Sequence, residues 1–202
     1  MNLLNLVVPL RCAGCGAPDF EACPSCVASF GPPVDVRVPG VGPPVYALAD
    51  YHGAARELVL AFKERGRRAL AAWFGAFVAV ALPMLAPRPW TLVPAPSTPR
   101  AARLRGGSHM VRIAESVHGA TVAPVLRLAN GVRDSVGLDA SARDANLRGR
   151  LSVRRAPPSG PVVLLDDVVT SGATARACVA ALAASRVDVA AVLVLTAAVG
   201  LH

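Results

Sequence analysis

The 202-residue sequence predicts an α/β protein with a mostly parallel central sheet flanked by helices, preceded by a small four-cysteine knuckle. Three observations carry that expectation. The first is the stretch VVLLDDVVTSGAT, Val162 to Thr174: an apolar run, an acidic pair, a turn rich in hydroxyls, and then an Ala-rich helix, Ala175 to Ala184. A continuous apolar run after Gly160-Pro161 is the pattern of a strand buried on both faces, as in a parallel sheet. The second is a series of further short strand and helix patterns between residues 45 and 202. The third is C-x2-C-x7-C-x2-C at Cys12, Cys15, Cys23 and Cys26.

Length and composition bound the rest. A chain of this size holds one α/β domain plus a small appendage. It is 53% hydrophobic, with mean hydropathy +0.47. The longest apolar stretch, Ala69 to Ala86, is broken by Pro83 and preceded by Arg67-Arg68, so it reads as a buried helix and no membrane partner is expected. The first ten residues are apolar but lack a charged start, and cysteines follow at once. That pattern argues against a signal peptide and for a cytoplasmic protein. Net charge is +8, and residues 88 to 155 account for it with 12 Arg against one Glu and three Asp. Such a cluster suits a polyanion such as pyrophosphate. Nucleic acid is the competing partner, but aromatic residues are only 4% of the chain, which disfavours a stacking platform.

The organisation expected is a knuckle at 1–30, a Pro/Gly linker at 31–44 and an α/β domain at 45–202, divided into a helical hood (45–87) and a core (88–202). In the knuckle, two pairs of thiolates, each two residues apart, complete one tetrahedral Zn²⁺ site, closed and structural. A pair of disulfides would require an oxidising compartment. The fifth cysteine, Cys178, falls on a helix face with Ala175 and Leu182 and reads as core.

Val45 to Leu48 reads as an edge strand. Helices follow at about Gly53 to Arg65, with Leu58, Val59 and Phe62 on one face, and at about Arg67 to Leu82. Arg56 and Lys63 are either solvated helix residues or groups reaching the substrate from a hood. Trp90 to Pro94 reads as the first core strand, emptying into Ala95-Pro96-Ser97-Thr98-Pro99-Arg100. Polar groups thus collect at the carboxyl edge of the sheet, where Arg suits bidentate phosphate contacts. A helix follows from about Met110 to Val117, and His109 reads as a helix-start or surface histidine rather than a catalyst. Val122 to Leu128 is a second strand. Asn130 to Arg150 is polar and basic, with the length of a mobile flap. Leu151 to Arg154 and Val189 to Thr196 complete the strands.

The chemistry concentrates at 162–174. Gly172 lets the backbone turn closely around a ligand. Thr170, Ser171 and Thr174 supply hydroxyls, and the helix start supplies free N–H groups for a phosphate. Asp166 and Asp167 cannot hold a phosphate directly, but they can accept bonds from sugar hydroxyls or position a hydrated Mg²⁺. An ordinary capped strand-to-helix turn is the bland alternative, and it leaves the second Asp unexplained. There is no GK[ST], so this is not a Walker A loop.

These 13 residues resemble the phosphoribosyl pyrophosphate (PRPP) motif of type I phosphoribosyltransferases. The four-cysteine start, and Tyr51-His52-Gly53-x2-Arg56-x6-Lys63-x2-Gly66, are similar to the ComF family of predicted phosphoribosyltransferases. The resemblance implies a type I phosphoribosyltransferase-like fold, with Asp166 and Asp167 on the ribose hydroxyls and residues Val169, Thr170, Ser171, Gly172, Ala173 and Thr174 around the 5′-phosphate. It implies pyrophosphate contacts from Ser97 and Arg100, further substrate contacts from Arg105 and Lys63, and a catalytic flap residue Arg143, alongside Leu138 and Asn146. It also implies Mg²⁺ arriving with PRPP. Where 6-oxopurine enzymes carry an Asp, this chain has Thr170, which argues against that subclass. The family segment RGFNQ stands here as Arg105-Gly106-Gly107-Ser108-His109, and a family Gln is replaced by Ser135. The function implied is transfer between PRPP and a nitrogenous base or nucleotide, with an association to the DNA-uptake machinery. Two alternatives stay open: a PRPP- or nucleotide-sensing adaptor that no longer catalyses, and a DNA-binding partner resting on the Arg-rich stretch.

Overall fold

The computed structural model describes residues 9–129, 147, 149–158 and 160–198. A six-stranded sheet forms the centre. In chain order its strands are β1 (Val34–Asp35), β2 (Val45–Ala47), β3 (Trp90–Pro94), β4 (Ala120–Val122), β7 (Val162–Val169) and β8 (Val189–Ala197). Across the sheet the order is β1-β2-β8-β7-β3-β4. Only β1 runs antiparallel, against β2; every other neighbouring pair is parallel. A separate antiparallel pair joins β5 (Leu126–Leu128) to β6 (Leu151–Val153). This is the predicted α/β class with a mostly parallel sheet.

Period-two alternation along the central strands divides the interior into two cores. Val163, Leu165, Leu193, Leu195 and Leu92 point to one face, and Val162, Leu164, Val192, Val194 and Val93 to the other. The apolar run therefore has to be continuous, because both faces are covered. On the first face lie α2 (Gly53–Lys63), α3 (Leu70–Leu85) and α5 (His109–Glu115), through Leu58, Phe62, Phe74, Val78 and Ile113. On the second face lies α6 (Ala173–Ala184), through Ala175, Cys178 and Leu182. Cys178 is thus a core residue, as its helix position implied. Short helices α1 (Pro24–Val27) and α4 (Pro99–Arg105) complete the described elements.

Several boundaries differ from the sequence reading. β7 does not stop at Leu165 but continues through both aspartates to Val169. Its partner β8 extends the ladder there, pairing Asp166 with Val194 and Val169 with Ala197. β2 is not an edge, since β1 caps it. The expected strand from Val122 to Leu128 is two strands, and β5 leaves the sheet to pair with β6. α3 runs past Pro83 to Leu85, although a proline there cannot donate to the Ala79 carbonyl. Residues 31–44, expected as a linker, contribute β1 and bury Val36 and Val38. Among the described residues no helix is long and apolar enough to cross a membrane.

Candidate functional site

The four N-terminal cysteines converge. Their sulfurs all lie within 4.8 Å of one another, and Cys15 Sγ is 3.5 Å from Cys23 Sγ. Four thiolates at about 2.3 Å from one Zn²⁺ would be separated by roughly 3.8 Å, so the cluster fits a tetrahedral ion. The cysteines are free thiols rather than disulfides. Burial would raise the Cys12 thiol, but backbone hydrogen bonds from Cys23, Cys15 and Gly14 override it and bring it down to about 6, favouring a thiolate. Gly14 is required for space: a Cβ there would lie 2.7 Å from Cys26 Sγ. Zn²⁺ here would tie the two knuckles together. Cys12, Cys23 and Cys26 are buried in the same core as Leu58 and Phe74. The knuckle therefore packs directly on the main body, and Phe30 stacks on Phe77 at 4.9 Å.

A second site lies at the carboxyl edge of the sheet, where ligands bind in open α/β folds. A cavity of about 370 Å³ opens there. Its walls include Lys63 and Glu64 from the end of α2, Ser97 after β3, Arg105 of α4, His109 of α5, and Asp166 through Thr174 from β7 and the turn into α6. Tyr51 lines the hood side. The turn depends on Gly172, whose φ is +76°. That left-handed conformation disfavours other residues, and an added Cβ would also collide with Val38.

The acidic pair is not symmetric. Lys63 Nζ lies 2.7 Å from Asp167 Oδ2, and His109 Nε2 lies 2.8 Å from the same oxygen. Burial would raise the Asp167 carboxyl, but the Lys63 ammonium and the His109 contact overcome it and hold it well below the ordinary range. Lys63 is raised in return, chiefly by Asp167. Asp166 is pushed up to about 7, first by burial and then by the charge of Asp167. Its Oδ1 accepts from the Asp167 backbone N–H at 2.9 Å. The neighbours thus differ: Asp167 is held ionised by its cationic partners, whereas Asp166 is pushed up. With Lys63 and His109 both on Asp167, these residues do not build an all-protein Mg²⁺ site. A Mg²⁺ ion would fit only as part of a diphosphate ligand, where it would neutralise phosphate charge.

Two buried polar atoms in the wall, Arg105 Nε and Ser171 Oγ, have no hydrogen-bond partner among the described residues. Leaving such groups unsatisfied costs about 1–3 kcal/mol each. Both belong to residues that line the cavity, although the two atoms themselves are shielded from solvent.

Of the candidates from the sequence, the cavity brings together Lys63, Ser97, Arg105, Asp166, Asp167 and residues Val169 to Thr174. Arg100 stands apart, exposed on α4 and outside the cavity wall. Arg143, Leu138, Asn146 and Ser135 lie outside the described residues. Arg56 keeps the solvated role, paired with Glu57 at 2.7 Å and 5.7 Å over the Tyr51 ring. His109 is a helix start but not a surface residue. Its side chain is 11% exposed, and its other nitrogen, Nδ1, lies 3.2 Å from Ser97 Oγ. The available signal was its place at a helix start beside a polar loop at the sheet's carboxyl edge. Contact with Asp167 needed the fold.

No family model matches the chain, and no curated protein matches it. Among solved structures it is similar to a hypoxanthine phosphoribosyltransferase from Staphylococcus aureus, at 12% identity and a TM-score of 0.35. The match covers 66% of this chain and 63% of that one, so the chain spans less than two thirds of that enzyme's length. At this level the likeness says nothing about the chemistry of the cavity.

Proposed function

We propose that the protein is a phosphoribosyltransferase, transferring a phosphoribosyl group between PRPP and a nitrogenous base or nucleotide. The observation that carries the reading is the grouping in one cavity of the acidic pair, the TSGAT turn, Lys63 and Arg105. The turn would hold the 5′-phosphate through backbone N–H groups and Ser171. Asp166 and Asp167 would accept the ribose hydroxyls, and Lys63 and Arg105 would offset the charge of the pyrophosphate. Mg²⁺ bound to the diphosphate would further stabilise the leaving group. Loss of pyrophosphate leaves positive charge on the sugar, which the ionised Asp167 beneath it would stabilise. No covalent nucleophile is needed. The association with DNA uptake rests on the ComF resemblance alone.

The test is calorimetric titration of the zinc-loaded protein with PRPP, with and without Mg²⁺, beside Asp167→Asn. Micromolar, Mg²⁺-dependent binding that is lost in the variant supports the site, and product formation with a panel of nucleobases separates an enzyme from a sensing adaptor. Absence of PRPP binding would overturn both readings. DNA binding with a steep salt dependence that survives loss of both aspartates would point to the Arg-rich face instead.

A further inference from the structure

Asp167, His109 and Ser97 form a hydrogen-bonded chain across the cavity wall, with contacts of 2.8 Å and 3.2 Å. A carboxylate only accepts hydrogen bonds. His109 must therefore donate from Nε2 to Asp167, which leaves Nδ1 of the neutral ring as an acceptor. The Ser97 hydroxyl then donates its one proton to Nδ1. It can also accept from Ser108 Oγ, 3.4 Å away. In that state Ser97 shows lone pairs to the cavity, which repel a phosphate oxygen. A doubly protonated ring reverses this without stranding Nδ1: His109 then donates on both sides, and the Ser97 O–H is released to donate to an anion.

We propose that His109 is a positioning residue that takes up a proton when a diphosphate ligand binds, turning the Ser97 hydroxyl from acceptor to donor. The inference rests on the reading of the cavity as a PRPP site. The charged surroundings allow it. Facing the ring or its partners are Lys63 and Glu64 at the end of α2, Arg105 from α4, and Asp166 and Asp167 from β7; Arg112 on its own helix turns to the Gly106 carbonyl. α3, packed beside α5, carries no titratable side chain. The Phe62 ring stands edge-on to the imidazole at 6.2 Å, which keeps it in the orientation that spans Asp167 and Ser97. An anion arriving at Ser97 draws the hydroxyl proton toward itself and leaves Nδ1 in need of a proton of its own. Histidine is the side chain whose charge changes most readily in the physiological range.

The experiment is titration with Mg²⁺-PRPP in buffers of different ionisation enthalpy, on wild type and His109→Gln. The expected result is a wild-type proton uptake exceeding that of His109→Gln by on the order of one proton per site. Wild-type affinity should fall on the order of tenfold as pH rises through the histidine range, and affinity of His109→Gln should not follow it. Nitrogen-15 NMR of histidine-labelled wild type gives a second readout independent of any variant: one ring should pass from a single protonated nitrogen to two on ligand addition. Binding with equal proton uptake in wild type and His109→Gln overturns the inference and leaves the PRPP site standing. No binding by any form overturns both.

Discussion

Lys63 Nζ and Asp167 Oδ2 meet at 2.7 Å, joining the end of α2 to β7 beneath the cavity. The carboxylate side chain is 7% exposed and the lysine 30%. A pair this sheltered is costly to break from one side, because the survivor keeps its charge without a partner.

Asp167→Asn should therefore destabilise the fold by about 3 kcal/mol. Adding Lys63→Met should recover most of that loss by removing the stranded ammonium. Urea unfolding of the two single variants and the double variant measures the coupling. Additive losses would contradict it.

Asp166 and Asp167 impose opposite pH dependences on stability. Asp166 is raised in the folded state from 3.8 to about 7. Its stabilising contribution is complete below the unfolded value and is lost as pH rises to about 7. Asp167 is depressed, so its contribution is present above the unfolded value and is lost as pH falls. Asp166→Asn should thus gain stability relative to wild type between about pH 4 and pH 8, by on the order of 2–4 kcal/mol. Denaturant midpoints across that range provide the check.

Ser171→Ala should separate stability from binding. It removes an orphaned buried hydroxyl, so the free protein should be unchanged or slightly more stable. PRPP affinity should fall about tenfold, the equivalent of one hydrogen bond to a charged group. Calorimetry and thermal melts on the same preparation read both effects.

Gly172→Ala combines a left-handed φ with a collision against Val38. The backbone penalty is about 1–2 kcal/mol, and overpacking adds about 1–3 kcal/mol. The variant should melt lower and lose PRPP binding, because the turn is part of the phosphate cradle.

The knuckle should hold one Zn²⁺ per chain. Removing it by chelation, or by Cys23→Ser, should lower the melting temperature by about 10 °C or more. The reason is that Cys12, Cys23 and Cys26 share a core with Leu58 and Phe74. Metal release followed by a chromogenic chelator, with circular dichroism in parallel, tests this.

The chain's own pattern determined the fold class, the cysteine cluster and the strand-to-helix turn at 162–174. Each is a local signal. A two-faced buried strand must be apolar throughout, four thiols at short spacing can close on one ion, and a turn at positive φ needs glycine. The continuation of β7 through Asp166 to Val169 was not legible, because it depends on pairing with β8. The role of His109 was not legible either. Its partners, Ser97 and Asp167, come from other elements, and only the packing of α5 beside β3 and β7 sets them within hydrogen-bond reach. The placement of α2 and α4 admitted Lys63 and Arg105 to the cavity and left Arg100 in solvent. Residue type and spacing decide what a short segment can do. Which side chains share a charge or a proton depends on distances between segments far apart in the chain, and the tertiary structure alone sets those.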